Sequence, residues 1–195
     1  MDRTKLRNGT LLVASILLAS IAGITPLSAA AADDMFLKLD GIRGEVDEAQ
    51  HRFDISLLSY TQSMTGPFAR GATSGAAGKA VCGTVTVVKY VDLASPDLVL
   101  SALNGRHIPQ AVITFRRPGP KPFQYYKVIL DDVIVAEVEQ NDSKLNFPNP
   151  APPRATEKVT LMARRFRYEY TQQDLKGGSG AQPKAGWDCV AASKV

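Results

Sequence analysis

The sequence predicts a mainly β, antiparallel domain with a curved, barrel-like sheet and one short helix. Apolar and polar residues alternate with period two from Met35 onward. A single segment carries paired helix start and stop signals. The last long strand slips its buried face by one residue, which either a bulge or a passage from one core to another surface must absorb.

Met35, Leu37 and Leu39 share one face of a first strand that Asp40-Gly41 ends. Phe53, Ile55 and Leu57 mark a second strand running to about Tyr60. The stretch 81–91 is a third, rich in the Val and Thr that a half-buried pleated surface favours. Ser95 is placed to cap the helix, Pro96 and Asp97 suit its first turn, and Asn104-Gly105 stops it. Leu98, Ala102 and Leu103 supply its apolar face. Ala111, Ile113 and Phe115 define a fourth strand, closed by Pro118-Gly119-Pro120. Tyr126, Val128 and Leu130 continue into Ile134, Ala136 and Val138 on one parity, as one long strand or two. In the last strand, 159–170, Val159, Leu161 and Ala163 keep one parity while Phe166, Tyr168 and Tyr170 keep the other. Those three aromatics are therefore expected to face a partner subunit. A short piece near Trp187 follows.

Ahead of the domain, residues 1–8 carry three basic groups and 10–24 is an almost unbroken apolar run. Pro26 and the small residues from Ser28 to Ala32 follow, the pattern of a secretory signal peptide with cleavage after Ala32. The run is shorter than the roughly 20 residues a membrane span requires. The domain expected after it is 33–195, free of membrane. In an oxidising compartment Cys82 and Cys189 are either a disulfide closing a long loop or two buried free thiols.

Composition excludes several classes. Hydrophobic residues at 45% and charged residues at 22% are ordinary for a globular chain. The net charge of +4 falls to +2 without Asp2, Arg3, Lys5 and Arg7, too balanced for a nucleic-acid footprint. Two cysteines and two histidines spread this widely form no zinc spacing, and no cofactor is implied. Gly78-Lys79 lacks both the phosphate-loop framing and the following helix. Gly178-Ser179-Gly180 lacks the frame of a nucleophile elbow. Asp131 and Asp132 point to opposite faces of a strand, His51 sits in a polar turn, and His107 follows the helix stop. No catalytic constellation emerges. The glycine-rich stretch 65–79 and the proline-rich stretch 143–154 are loops.

In their joint order, several short motifs resemble the haemolysin-coregulated proteins (Hcp), tube subunits of type VI secretion systems. They begin with Met35-Phe36-Leu37-Lys38-Leu39-Asp40-Gly41-Ile42-Arg43-Gly44-Glu45. Lys89-Tyr90-Val91-Asp92 and Ser95-Pro96-Asp97-Leu98 come next, then Gly105-Arg106-His107-Ile108-Pro109-Gln110-Ala111 and Thr114-Phe115-Arg116. Thr156-Glu157-Lys158-Val159-Thr160-Leu161 and Gly186-Trp187 complete the set, which covers nearly all of 35–190.

The resemblance implies a barrel of two packed sheets flanked by one helix, similar to phage tail-tube proteins. It also implies homohexameric rings that stack into a tube, carry effectors, and meet sheath and spike proteins. The glycine-rich loop then becomes the ring-stacking element, with Gly66, Pro67, Phe68, Arg70, Gly71, Gly75, Gly78 and Lys79. A leader is unusual in this family. It makes the protein secreted or periplasmic, unless the start lies too far upstream and the tube assembles in the cytoplasm.

Overall fold

Antiparallel hydrogen bonding links nine strands into one sheet in the computed structural model, which describes residues 32–67, 80–141, 154–174 and 177–195. The strands are β1 (Asp34–Leu39), β2 (Ile55–Leu57), β3 (Ser59–Thr65), β4 (Val81–Tyr90), β5 (His107–Arg117), β6 (Phe123–Asn141), β7 (Thr156–Tyr170), β8 (Lys184–Asp188) and β9 (Ser193–Lys194). One helix, α1 (Ser95–Asn104), lies between β4 and β5 and packs on β6. Residues 1–31 of the expected leader and 143–153 of the expected proline-rich loop lie outside the described residues.

The sheet closes on itself through a single bent strand. Its order is β2-β1-β5-β6-β7-β4-β3, and only Leu58 separates β2 from β3. β2 pairs with β1 and β3 pairs with β4, while the Leu58 N–H donates to the Val88 carbonyl at 2.7 Å and keeps the ladder running. Closure of this kind removes free edges and gives each strand one face to fill. That interior holds Leu37, Ile55, Val85, Val87, Ile113, Leu130, Val159 and Leu161, all fully buried.

The parity slip in β7 is not confined to β7. Between β5 and β6 the register runs from Ile108↔Val133 to Gln110↔Asp131 and passes over Pro109 opposite Asp132. Between β6 and β7 it runs from Val133↔Ala163 to Asp131↔Arg165 and passes over Asp132 opposite Arg164. The buried residues switch parity at that level on all three strands: Ile108 to Ala111, Val133 to Leu130, and Leu161 to Phe166. Pro109 has no N–H to give the ladder, and Asp132 adopts φ 55°, which Asp tolerates better than most side chains. The result is a transverse crease that keeps the register and returns every strand to the same core.

Several expectations are corrected here. Phe166 is 1% exposed and sits in the barrel, opposite Leu130, because the crease brings its parity inward; it cannot face a partner. On β6 the inward residues just past the crease are Val133 and Val135, not Ile134 and Ala136, and a bulge between Val135 and Glu137 then returns Val138 to the core side opposite Val159. Phe53 is no strand residue: it takes φ 67° in a turn, exposed beneath the Arg43 guanidinium. Leu103 is 82% exposed, and α1 buries Leu98 and Ser101 instead. Gly105 does end the helix at φ 63°, a conformation that costs glycine least. The N-cap, however, is Ala94 without a side-chain bond, because the Ser95 hydroxyl is used elsewhere.

It is used in a buried ionic cluster. Lys89 and Glu157 are register partners on β4 and β7, both essentially without solvent exposure. Lys89 Nζ donates to Glu157 Oε1 at 2.7 Å, to Asp92 Oδ1 at 2.7 Å, to the Tyr90 carbonyl at 2.8 Å and to Ser95 Oγ at 3.3 Å. Ser95 Oγ donates to Glu157 Oε1 at 2.7 Å and accepts from the Asp92 N–H, and Gln140 Nε2 donates to Glu157 Oε2. Burial alone pushes the Glu157 carboxyl up, but hydrogen bonds from Lys89, Ser95 and Gln140 and the Lys89 charge outweigh it and hold it below 4.5.

Lys89→Met strands a buried carboxylate and is expected to destabilise the barrel by about 3–5 kcal/mol. Lys89→Met with Glu157→Met is expected to cost far less than the summed single changes; additive losses in urea unfolding would show that the pair does not interact. Acid should act on this pair and on two others, Asp131 with Arg167 and Glu169 with Lys184. Because the carboxyls of Glu157, Asp131 and Glu169 titrate lower folded than unfolded, their stabilisation is complete above the ordinary carboxylate range. It is lost as pH falls through the depressed values, so the melting temperature should be level down to about pH 5 and drop below it.

Candidate assembly surface

Beyond the barrel, β3 and β4 continue as a two-stranded arm. β4 pairs with β7 from Val85 to Tyr90, whereas Val81 and Cys82 pair with Thr65 and Met64 of β3 alone. A bulge at Ser63 shifts the register, and Gly83 lies so close that an added Cβ would run into the Ser63 carbonyl. Val81 is 60% exposed and Met64 44%. Gly66 and Pro67 are exposed at the outer end of this arm. Phe68, Arg70, Gly71, Gly75, Gly78 and Lys79 lie outside the described residues.

The strand β8 replaces β4 on the flank of β7: Arg165↔Asp188 to Glu169↔Lys184 pair there, and the Cys189 N–H donates to the Arg164 carbonyl. Where β4 and β8 part, a disulfide joins Cys82 to Cys189, with Cα atoms 6.1 Å apart across 107 residues of sequence. An apolar groove of about 320 Å³ lies along the arm, between Met64, Pro67, Val81 and Cys82 on one side and Tyr168 and Trp187 on the other.

The three aromatics of the late strand divide. Phe166 belongs to the core, Tyr168 is half-buried, and Tyr170 is 40% exposed. Tyr168 stacks on Tyr126 at 6.4 Å, and its hydroxyl donates to Gln62 Oε1 at 3.2 Å. The neighbouring Tyr60 hydroxyl also donates to that oxygen, at 2.6 Å; burial, and then the adjacent Tyr168 and Tyr126, push its pKa well up. Ala32 is exposed, two residues before β1.

Outside the crease, Arg164, Arg165 and Arg167 line a polar cleft of about 540 Å³ with Asp131 and Asp132. Arg167 grips Asp131 through two bonds of 2.8 and 3.0 Å, and Arg164 and Arg165 converge on Asp188 Oδ2. Backbone N–H groups of Ala191 and Val190, with both arginines, hold the Asp188 carboxyl below its ordinary range. At the far end, Arg116 is buried between Asp34 and Glu48, over Phe36, which stacks on His51 at 4.0 Å. His51 bonds Asp54 at 2.8 Å, and its other ring nitrogen lies 3.0 Å from Gln124 Nε2. These charges are satisfied by one another. Among the described residues no group of three His, Cys, Asp or Glu is disposed to hold a metal ion, and no helix is long and apolar enough to cross a membrane.

Lys89, Glu157 and Arg116 were not singled out in the sequence as functional or structural centres. Their signal was present: Lys89 follows Val85 and Val87 on one parity, and Glu157 precedes Val159 and Leu161. A charge on the buried parity at matching ends of two strands marks an internal pair. Pairing β4 with β7 required the fold.

The barrel and arm can be set against known proteins. The family described as "Type VI secretion system effector, Hcp" matches residues 36–170. "Protein hcp1" of Pseudomonas aeruginosa is 30% identical over 158 residues, covering 80% of this chain and 94% of that protein. The crystal structure of Hcp1 from Salmonella typhimurium superposes with a TM-score of 0.68 at 31% identity, over 85% of this chain and all of that one. A structure titled as a type six secretion system protein has the same fold, with a TM-score of 0.75 at 23% identity, over 84% of this chain and 100% of that one. A match that runs from β1 to the end of β7, joined to this closed barrel and its single helix, makes the chain a member of the Hcp family of type VI secretion proteins.

Proposed function

We propose that this protein is a non-catalytic subunit of a type VI inner tube, closing into homohexameric rings that stack and carry, or are secreted with, effectors. The match over residues 36–170, which runs from β1 to the end of β7, carries the reading. The closed sheet supports it: with few free edges, copies must meet through faces and projections, and heterologous contacts that close generate rings. Tyr170, and Leu100 and Leu103 one turn apart on α1, offer exposed apolar surface for such contacts. The arm with Gly66 and Pro67 at its outer end is positioned to carry the stacking loop, and sheath, spike and effector proteins are the expected partners. Residues 1–32, proposed as a cleaved export signal, are unusual for a tube subunit and motivate a second reading.

A second reading is a stand-alone exported module that keeps the fold without the tube. The Cys82–Cys189 bond favours it, since such bonds persist in oxidising compartments.

Light scattering on the chain lacking residues 1–32 separates the two readings. A mass six times that of the subunit is expected; a monomer at micromolar concentration would overturn the tube reading in favour of the exported module. Deleting residues 65–79 should leave the subunit folded and ring-forming while weakening tube formation in electron micrographs. Tubes of unchanged length would remove the stacking role from that loop.

A further inference from the structure

We propose that the Cys82–Cys189 disulfide is a redox latch on the β3–β4 arm: oxidation straps the arm to the β7–β8 flank of the barrel, and reduction frees it without unfolding the barrel.

The argument rests on what else holds the arm. From Ser63 and Thr84 outward, its two strands pair only with each other. Thr61 and Ser63–Thr65 are exposed, as are Val81 and Thr84, so little apolar packing fixes the direction in which the arm leaves the sheet. At its root Gln62 Oε1 accepts from Tyr60 and Tyr168, but Gln62 Nε2 is buried with no hydrogen-bond partner among the described residues. Of the side-chain bonds at this root, that from Tyr168 alone ties Gln62 to β7. The disulfide is the one covalent tie across this joint, and it falls where β4 and β8 diverge from β7. The barrel is held independently by the β5–β6–β7 ladders and the Lys89–Glu157 cluster, which the bond does not touch.

The bond is also within reach. Cys82 lines the open apolar groove and both cysteines are half-buried, so a thiol has a path to the sulfurs. Opening the latch consumes two electrons and two protons from a dithiol. One of its thiolates attacks a sulfur to form a mixed disulfide and expel the other cysteine thiolate. Its second thiol then displaces the protein sulfur, leaving Cys82 and Cys189 as thiols and the reductant as a disulfide. Closing runs the same exchange against a protein disulfide. In a tube subunit the latch would set the direction of the stacking arm. That consequence rests on the ring reading, whereas the latch itself does not.

Hydrogen–deuterium exchange on the full chain tests the latch without requiring rings. The oxidised protein, the same protein reduced with dithiothreitol, and the Cys82→Ser/Cys189→Ser double variant are compared segment by segment. In both thiol-free-of-bond states, residues 63–65 and 81–84 should exchange about 10-fold faster or more, while 111–117, 126–135 and 156–161 change less than about 2-fold. Equal arm exchange in all three samples would overturn the proposal by showing that packing alone holds the arm. Loss of protection throughout the barrel would overturn it as well, since the bond would then hold the fold rather than the arm. Failure to form hexamers would leave these outcomes unaffected.

Discussion

Lys89 carries a charge into a position with no solvent, and the architecture around it is arranged to make that tolerable. An isolated buried ammonium is prohibitively costly, so its donors need fixed acceptors on every side. Glu157 supplies one from β7, Asp92 and the Tyr90 carbonyl supply two from the end of β4, and Ser95 supplies another from the first residue of α1. Three of these four acceptors lie within six residues of Lys89, whereas Glu157 is 68 residues away, and only one pairing of β4 with β7 brings it to the same nitrogen. The cluster thereby fixes the register Lys89↔Glu157, which carries Val87↔Val159 and Val85↔Leu161 with it. It also explains why Ser95 does not act as a cap: its hydroxyl is spent on the cluster.

Two further constraints turn that register into a barrel. The bend at Leu58 lets one length of chain serve β1 with its first half and β4 with its second, so closure needs no additional strand. The crease through Pro109, Asp132 and Arg164 lets three long strands curve around the core while their inward side chains change parity together. A slip on one strand alone would place Phe166 in water. Shared across neighbours, it places Phe166 against Leu130 inside. The arginines displaced outward by the same crease meet Asp131 and Asp188 there.

With the barrel sealed, the features left for contact are those that project from it: the β3–β4 arm with its groove, the outer face of α1 with Leu100 and Leu103, and Tyr170. None is a chemical centre in the sense of a nucleophile beside a base. What they offer is shape and apolar surface on a rigid support, which suits a subunit that acts by assembly. Membership in the Hcp family places the protein among type VI secretion components.

The sequence by itself determined the elements. Period-two alternation located β1, β4, β5 and β7, Asn104-Gly105 ended the helix, and the ordered short motifs were enough for the family. These signals are local: each depends on residues within one strand or turn. The isolated strand could not show where its slip would be absorbed, so Phe166 read as a subunit contact, and the inward parity of β6 read one residue out of step between Asp132 and the bulge before Glu137. Leu103 read as buried because an amphipathic stripe does not say which side of it meets the barrel. The two-residue β9 carried no pattern at all. Of the candidate assembly surface, the glycines of 65–79 were visible and the Cys82–Cys189 bond stood as one of two alternatives, while the β3–β4 arm and its groove were not visible. Those features belong to strand pairing over long separations, and only the tertiary structure decides them, because a buried charge or a parity change acquires its meaning from the neighbour across the ladder.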